Sequence, residues 1–453
     1  MNTTFEYGEQ FEVDDRKGLE SYLCFLWQEY KNIWPSPPEN ESENENTDLG
    51  PGSKYQPFLS FDGKMARARN YIGFINFENF NIEIYPKIFQ NGHEISKELN
   101  EPKISKELMH RHLFYWLSYC KKVKFPFNQA FLDKFELELP ELLIYLFARQ
   151  IHEVISTRPF SAYEEVQEAL FTPRGRINFD RYVTRISYGN CHLIDCDYEP
   201  FVFDNLLNRI IKYCTRLLLS KASIIETQRI LNEIIFMLED VDDQVCFAQQ
   251  LQTLRIPSIY SDYEEIIQIC GMILENQAYS CAEYEMKNWS LLLPMEYIFE
   301  DFIAGYVQKY FSGTFKVEPQ KSDLYLHTNP NTFNLQHDIL LTNKKTGEQI
   351  IIDTKYKPRW NLEKSDSKKG IAQSDMYQMI SYAYRRGTNK VLLIYPNTSN
   401  ELAEDHTFLI NKGTKDETIN IKAIDVPFWS ITGHPYVEEK LKIKLRDVLF
   451  NEL

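Results

Sequence analysis

The sequence predicts a multidomain α/β (α+β) protein: a β-containing region over 1–160, a helical middle region over 161–289 and an α/β domain over 290–453. Three observations predict it. Tyr71–Phe89 alternates apolar and polar side chains, the period of a half-buried strand pair. Between His110 and Glu275 apolar residues recur three and four apart, the period of an amphipathic helix. From Glu296 onward the order becomes helix, strand, strand, loop, helix, strand, which encloses a core of its own. A chain of 453 residues accommodates two or three such domains, since single domains run to roughly 100–200 residues.

Taken in order, Phe11–Trp34 has helical spacing and is followed at 35–53 by PSPPENESENENTDLGPGS, a solvated loop without hydrophobic anchors. Tyr71–Phe89 is a β-hairpin with Asn79 in its turn, and a second polar stretch fills 91–106. Helices are expected at His110–Lys122 and Leu137–Ser156, and TPRGRI at Thr172–Ile177 interrupts them. They resume at Asp204–Leu219, Ile224–Leu238 and Ser261–Glu275, forming a helical layer. The principal boundary is expected near Trp289–Pro294, with no repeat at solenoid periods. Beyond it come an amphipathic helix over Pro294–Phe311, strands at Asn334–Thr342 and Gln349–Lys357, a helix at Asp375–Tyr384 and a strand at Lys390–Tyr395.

A hydrophobic fraction of 43% places the chain among globular proteins rather than disordered ones. The net charge of -15 lacks the basic footprint of a protein that grips nucleic acid unaided, so any role on DNA implies a partner. The N-terminus is polar and acidic, and no stretch reaches the roughly 18 consecutive apolar residues of a membrane span, so a cytoplasmic location without membrane association is expected. The 8 cysteines are scattered, the pattern of reduced thiols. Cys191, His192 and Cys196 resemble half a zinc site, but no second pair completes it, and core thiols are the simpler reading.

Chemistry concentrates in NLQHDILLT and QIIIDTKYK, joined by the polar turn NKKTGE at Asn343–Glu348. A hairpin symmetric about the Lys345–Thr346 bond sets Asp338 opposite Asp353, with Cβ atoms roughly 4.5–5.5 Å apart on one face. Lys355, two residues on, points the same way. Two carboxylates and an ammonium suit phosphodiester hydrolysis, in which a hard cation on oxygen ligands activates water and a second positive charge stabilises the transition state. Glu300, on the preceding helix, is a candidate further carboxylate. Gln378 and Tyr382 share a face of the following helix. Arg359, Lys364, Lys368 and Lys369 make Lys357–Gly370 a candidate phosphate-contacting loop.

These elements together resemble the PD-(D/E)XK nuclease superfamily, including the Gln-x-x-x-Tyr element of its RecB-like branch. His337 stands where that motif usually has proline. The I-x-I-Y-P-K run within Gly73–Ile88, RGRINFDRY at Arg174–Tyr182, D-N-x-x-N-R within His192–Arg209, and Met295–Phe302 resemble the McrC family. The resemblance implies a restriction-endonuclease-like C-terminal domain, with metal binding by Asp338 and Asp353, a catalytic Lys355 and supporting roles for Glu300 and Gln378. It implies Mg²⁺, or Mn²⁺ in its place, as the cofactor. It further implies the endonuclease subunit of a modification-dependent, 5-methylcytosine-type restriction system, acting on methylated double-stranded DNA. The partner would be an McrB-like AAA+ GTPase hexamer, which binds the nucleotide, GTP or ATP, and docks the region 1–160. The resemblance assigns no residue that stimulates the motor; Lys64, Arg67 and Arg69, just before the hairpin, are candidates, with surface solubility as the equal alternative.

Two alternatives stay open on sequence alone. One is an AAA+ activator or scaffold with a decayed nuclease, against which the intact Asp338, Asp353 and Lys355 argue. The other is a stand-alone nuclease of DNA repair, which would cut without a motor.

Overall fold

The computed structural model describes residues 2–30, 56–90, 104–121, 136–163, 165–277, 288–357, 359, 367–397, 402–411 and 418–452. The expected loop at 35–53, and that at 91–106 as far as 103, lie outside the described residues.

In chain order the described elements begin with β1 (Asn2–Phe5), β2 (Phe11–Glu12), α1 (Arg16–Tyr30), β3 (Leu59–Asp62), β4 (Met65–Ala68), β5 (Tyr71–Phe77), β6 (Phe80–Tyr85) and α2 (Lys106–Leu117). Next come α3 (Leu139–Thr157), β7 (Ala162–Tyr163), β8 (Val166–Leu170), β9 (Arg176–Ile177), α4 (Phe179–Ser187), β10 (Ile194–Tyr198), β11 (Phe201–Val202), α5 (Leu206–Lys221), α6 (Ile225–Met237), α7 (Ala248–Leu251) and α8 (Tyr263–Gln277). The last part holds β12 (Trp289–Pro294), α9 (Met295–Phe311), β13 (Phe315–Thr328), β14 (Asn331–Asn343), β15 (Gln349–Thr354), α10 (Gln373–Arg386), β16 (Lys390–Pro396), β17 (His406–Asn411), β18 (Thr418–Val426) and α11 (His434–Asp447).

Compactness groups these elements differently from the three successive regions expected. One unit joins Met1–Leu139 with Ser290–Leu453, and the other is Pro140–Trp289. The physical reason is burial shared between distant segments of the first unit. Trp116 of α2 stacks on Phe428 with centroids 4.0 Å apart and donates its indole N–H to the Phe428 carbonyl. His112 lies 2.8 Å from the Ser430 carbonyl oxygen, and the Tyr356 hydroxyl donates to Glu6 at 2.8 Å.

Within this first unit the expected hairpin is β5–β6, closed by Glu78 and Asn79 between the pair Phe77 and Phe80. It belongs to a four-stranded sheet of order β1-β6-β5-β12, where β1 runs parallel to β6. Phe11 and Glu12, expected to be helical, pair with β4 instead, and the helix starts at Arg16. The second sheet of interest has order β13-β14-β15-β16-β18-β17, with β15, β16 and β18 parallel. A parallel strand covered on both faces must be apolar throughout, which is why Ile350–Ile352 and Val391–Tyr395 are all buried. Against the face bearing Leu340, Ile351 and Leu393 lies α10, through Met379, Tyr382 and Ala383.

The second unit, Pro140–Trp289, contains the expected helices as α5, α6 and α8. It is not purely helical, because 162–202 forms a three-stranded sheet β8-β10-β9 and the pair β11-β7. Among the described residues no helix is long and apolar enough to cross a membrane.

Gly305 shows how tightly the first unit is packed, since a Cβ there would lie 2.1 Å from the Tyr119 carbonyl oxygen. Propensity alone favours alanine inside a helix by about 1 kcal/mol. Gly305→Ala is nevertheless expected to lose about 1–3 kcal/mol by overpacking, seen as a lower denaturation midpoint of the full chain; a raised midpoint would contradict this packing.

Candidate active site

The site is built at the end of β15, where the antiparallel and parallel halves of the six-stranded sheet meet. Pairs Ile339–Ile352 through Thr342–Gln349 have the register expected from the symmetric turn. The ladder stops one residue short of the aspartates, so Asp338 and Asp353 are the next residues outward on facing strands. On the other side Lys355 N–H donates to the Ile394 carbonyl at 2.9 Å, prolonging the parallel pairing with β16. Because side chains alternate, Asp353 and Lys355 share the face that α10 covers.

Asp353 is 1% exposed, and its Oδ2 lies 2.7 Å from the Lys355 ammonium. That oxygen has no hydrogen bond of good geometry, so the contact satisfies charge better than direction. Asp338 is half-buried and its Oδ2 accepts from Thr354 twice, from the amide at 2.7 Å and the hydroxyl at 2.9 Å. Burial, and then the charge of Asp338, pushes the Asp353 carboxyl up to about 7. Burial also raises the Asp338 carboxyl, against the opposing pull of Lys355 and Thr354. At Lys355 burial disfavours the ammonium, but Asp353 and Asp338 outweigh it and raise its pKa. The centre therefore carries two carboxylates against one ammonium and is short of positive charge.

Helix α10 holds the lysine from the opposite side. Lys355 Nζ donates to Gln378 Oε1 at 3.2 Å, and Gln378 Nε2 donates to the Tyr382 hydroxyl at 2.9 Å. Tyr382 meets His337 edge-on at 4.7 Å, and Arg386 Nε lies 3.2 Å from His337 Nε2. Burial and the Arg386 charge lower the His337 pKa to about 4, so at neutral pH it is an uncharged wedge under Tyr382. Glu300 accepts from Gln320 at 3.1 Å. Glu300 and Asp338 both act on Tyr297, whose hydroxyl is pushed up to about 12 by burial and then by Glu300, Glu296 and Asp338.

Several residues here were not read from the sequence. Thr354, the middle residue of D-x-K, clamps Asp338. Asp375, in the first turn of α10, pairs with Lys357 at 2.6 Å, and its charge acts on both Asp353 and Lys355. Asp375 and Gln378, one turn apart, thus receive Lys357 and Lys355, two residues apart. Strand period and helix period match at this point. The D-x-x-Q spacing on α10 against K-x-K on the strand was the available signal. The I-x-I-Y-P-K run is tied in on the other face: Glu83 pairs with Lys106 at 2.6 Å and accepts from the Leu139 amide at 2.6 Å, while the Lys87 ammonium stands 4.7 Å over the Tyr356 ring.

The expected phosphate loop is corrected at Arg359, which is 4% exposed and bonds Asp425 at 2.8 Å, so it does not face a ligand. Lys364 lies outside the described residues. Arg67 donates to the Gly8 carbonyl at 2.8 Å. At the cysteine-based candidate, Cys196 is buried and Cys191 exposed. Among the described residues no group of three His, Cys, Asp or Glu side chains is arranged to hold a metal. What fits a divalent cation is the carboxylate pair, with the unsatisfied Asp353 oxygen and its deficit of positive charge.

Asp425→Ala would bury the Arg359 guanidinium without its partner and is expected to destabilise the chain by about 3–5 kcal/mol. Replacing both residues together by Met and Leu should cost far less. Denaturant unfolding of the two variants checks this; equal losses would contradict it.

The family described as McrBC 5-methylcytosine restriction system component matches residues 66–396, well over half of the chain. No curated protein matches. Among solved structures, a chain of the refined half-complex from the tetradecameric assembly of Thermococcus gammatolerans McrB AAA+ hexamers with bound McrC is similar, with a TM-score of 0.70 at 16% identity over 98% of this chain and 99% of that one. A chain of the cryo-EM structure of the Thermococcus gammatolerans McrBC complex gives 0.48 at 18% identity, over 68% of this chain and 87% of that one. The first likeness shows the fold. The family match adds that this chain belongs to the McrBC 5-methylcytosine restriction system components.

Proposed function

We propose that the chain is the DNA-cleaving subunit of its restriction system, hydrolysing phosphodiester bonds at Asp338, Asp353 and Lys355 with Mg²⁺ or Mn²⁺. The observation that carries this reading is the convergence of two carboxylates and one ammonium beside Gln378, at the end of a strand pair in the expected register. Asp338 and Asp353 would hold the cation, which when bound supplies a Lewis acid for the phosphate and an activated water. Thr354 fixes the Asp338 carboxylate by donating to it. Lys355, oriented between Asp353 and Gln378, places positive charge where negative charge accumulates on the phosphate oxygens. Water adds to phosphorus and the leaving oxygen departs with a proton, so no redox partner is required. Glu300 and Gln378 support the site rather than complete it. The D-x-K residues are intact, which favours a working nuclease over a decayed one.

A net charge of -15 suits a catalytic subunit whose DNA is held by a partner. We place an McrB-like AAA+ hexamer, which binds GTP or ATP itself, in that role, and methylated duplex DNA as the substrate it delivers. Support for a docking surface comes from the second unit. Helix α4 buries none of its residues, and Phe179 at 67%, Val183 at 59% and Ile186 at 44% exposure follow one another at spacings of four and three, on one face of it. A contiguous apolar patch of this kind marks a protein interface. This reading moves docking from the region 1–160, where the sequence alone put it, to 162–202.

Asp353→Asn and Lys355→Gln are expected to lower cleavage by the motor complex at least about a hundredfold, without changing its nucleotide hydrolysis. Chelation of divalent cations should do the same, and full cleavage by both variants would defeat the nuclease assignment. Val183→Asp should weaken association with the motor roughly tenfold or more, measured by titration of the purified subunits; undiminished binding would remove α4 from the interface.

A further inference from the structure

Strands β13 and β14 continue well past the catalytic centre. β15 pairs with β14 only from Ile339 to Thr342, whereas β13 and β14 stay paired outward through Leu324–Leu335, Tyr325–Asn334 and His327–Thr332 to Thr328–Asn331. At about 3.3 Å per residue, the seven residues from Asp338 to Asn331 span roughly 23 Å. The root is fixed: Leu324 and Leu335 pack on the core beneath α10, and Arg385 donates to the Tyr325 carbonyl at 2.7 Å. Beyond it every residue from 326 to 334 is exposed, so neither face of this two-stranded ribbon is covered.

Composition separates the ribbon from the rest of the chain. LYLHTNPNTFNLQH, at Leu324–His337, contains no carboxylate, although the chain has 65 Asp and Glu residues. It offers Thr328, Asn329, Asn331, Thr332 and Gln336, side chains that exchange hydrogen bonds with base edges and phosphates. Phe333 is 73% exposed and holds a φ of 58°, a left-handed conformation that is costly for a bulky residue. Nothing in the core requires it there.

We propose that this acid-free ribbon, Leu326–Asn334, enters a groove of duplex DNA next to the bond being cut, with the Phe333 ring as its apolar contact. The inference rests on the nuclease reading, because β14 carries both Asp338 and the ribbon, so a duplex seated at Asp338 runs past it. The major groove, about 12 Å wide, admits a two-stranded β-ribbon. An uncharged arm meets the grooves without the repulsion that the rest of this acidic chain would impose on phosphates.

The test uses the full chain in complex with its motor partner, a short labelled DNA duplex and Ca²⁺ in place of Mg²⁺, so that binding is read without cutting. Phe333→Ala is expected to weaken duplex binding about tenfold. A second variant, with residues 326–333 replaced by an Asn-Gly turn that joins the paired Tyr325 and Asn334, should weaken it at least as much. Its thermal unfolding should be unchanged, because the exposed arm contributes nothing to the core. Equal duplex affinity of the complexes formed with the wild-type and the trimmed chain overturns the proposal. So does a loss confined to association with the motor or with a second copy of the chain. Asp353→Asn is assayed for cleavage in parallel: loss of cutting there with unaltered binding by the ribbon variants refutes the ribbon alone, whereas retained cutting with impaired ribbon binding refutes the nuclease reading alone.

Discussion

The ion pair between Asp353 and Lys355, buried beside Asp338, is the constraint on which the rest of this site depends. Two carboxylates and one ammonium away from water are stable only if their remaining polar atoms are bonded and their surroundings rigid. The fold supplies this from both sides. Thr354 clamps Asp338, Gln378 and Tyr382 hold the lysine, and His337 with Arg386 braces Tyr382 in turn. One charge stays unbalanced, and that imbalance suits a cation-binding centre.

After Lys355, the described residues Tyr356, Lys357 and Arg359 are each held by a different element. Tyr356 turns to Glu6 and the N-terminal sheet, Lys357 to Asp375 on α10, and Arg359 to Asp425 at the end of β18. The end of β15 and the residues after it are therefore anchored to three separate parts of the first unit. This makes it understandable that N-terminal and C-terminal segments share one compact unit, with Trp116 stacked on Phe428.

Charge divides labour along the chain. The acidic balance argues against unaided DNA binding, yet two exposed elements escape it: the apolar face of α4 and the uncharged ribbon of β13 and β14. One suits a protein surface and the other a nucleic-acid groove.

Much of the site was legible in the sequence because it is local. The register that brings Asp338 opposite Asp353 follows from the length of the Asn343–Glu348 turn, and the common face of Asp353 and Lys355 from the period of a strand. Gln378 and Tyr382 follow from the period of a helix, and the β5–β6 hairpin from alternation. Phe11 and Glu12 misled because two residues cannot reveal a period, and pairing with β4 decided their state. The strands between Ala162 and Val202 are likewise too short to announce themselves. Arg359 and Lys357 looked alike as basic loop residues, and only tertiary structure separated them, by seating Asp425 against one and Asp375 against the other. Which distant carboxylate meets which lysine, and that segments more than 300 residues apart share one core, are long-range facts; no local pattern encodes them, because they arise from packing between elements whose own periods are silent about their partners.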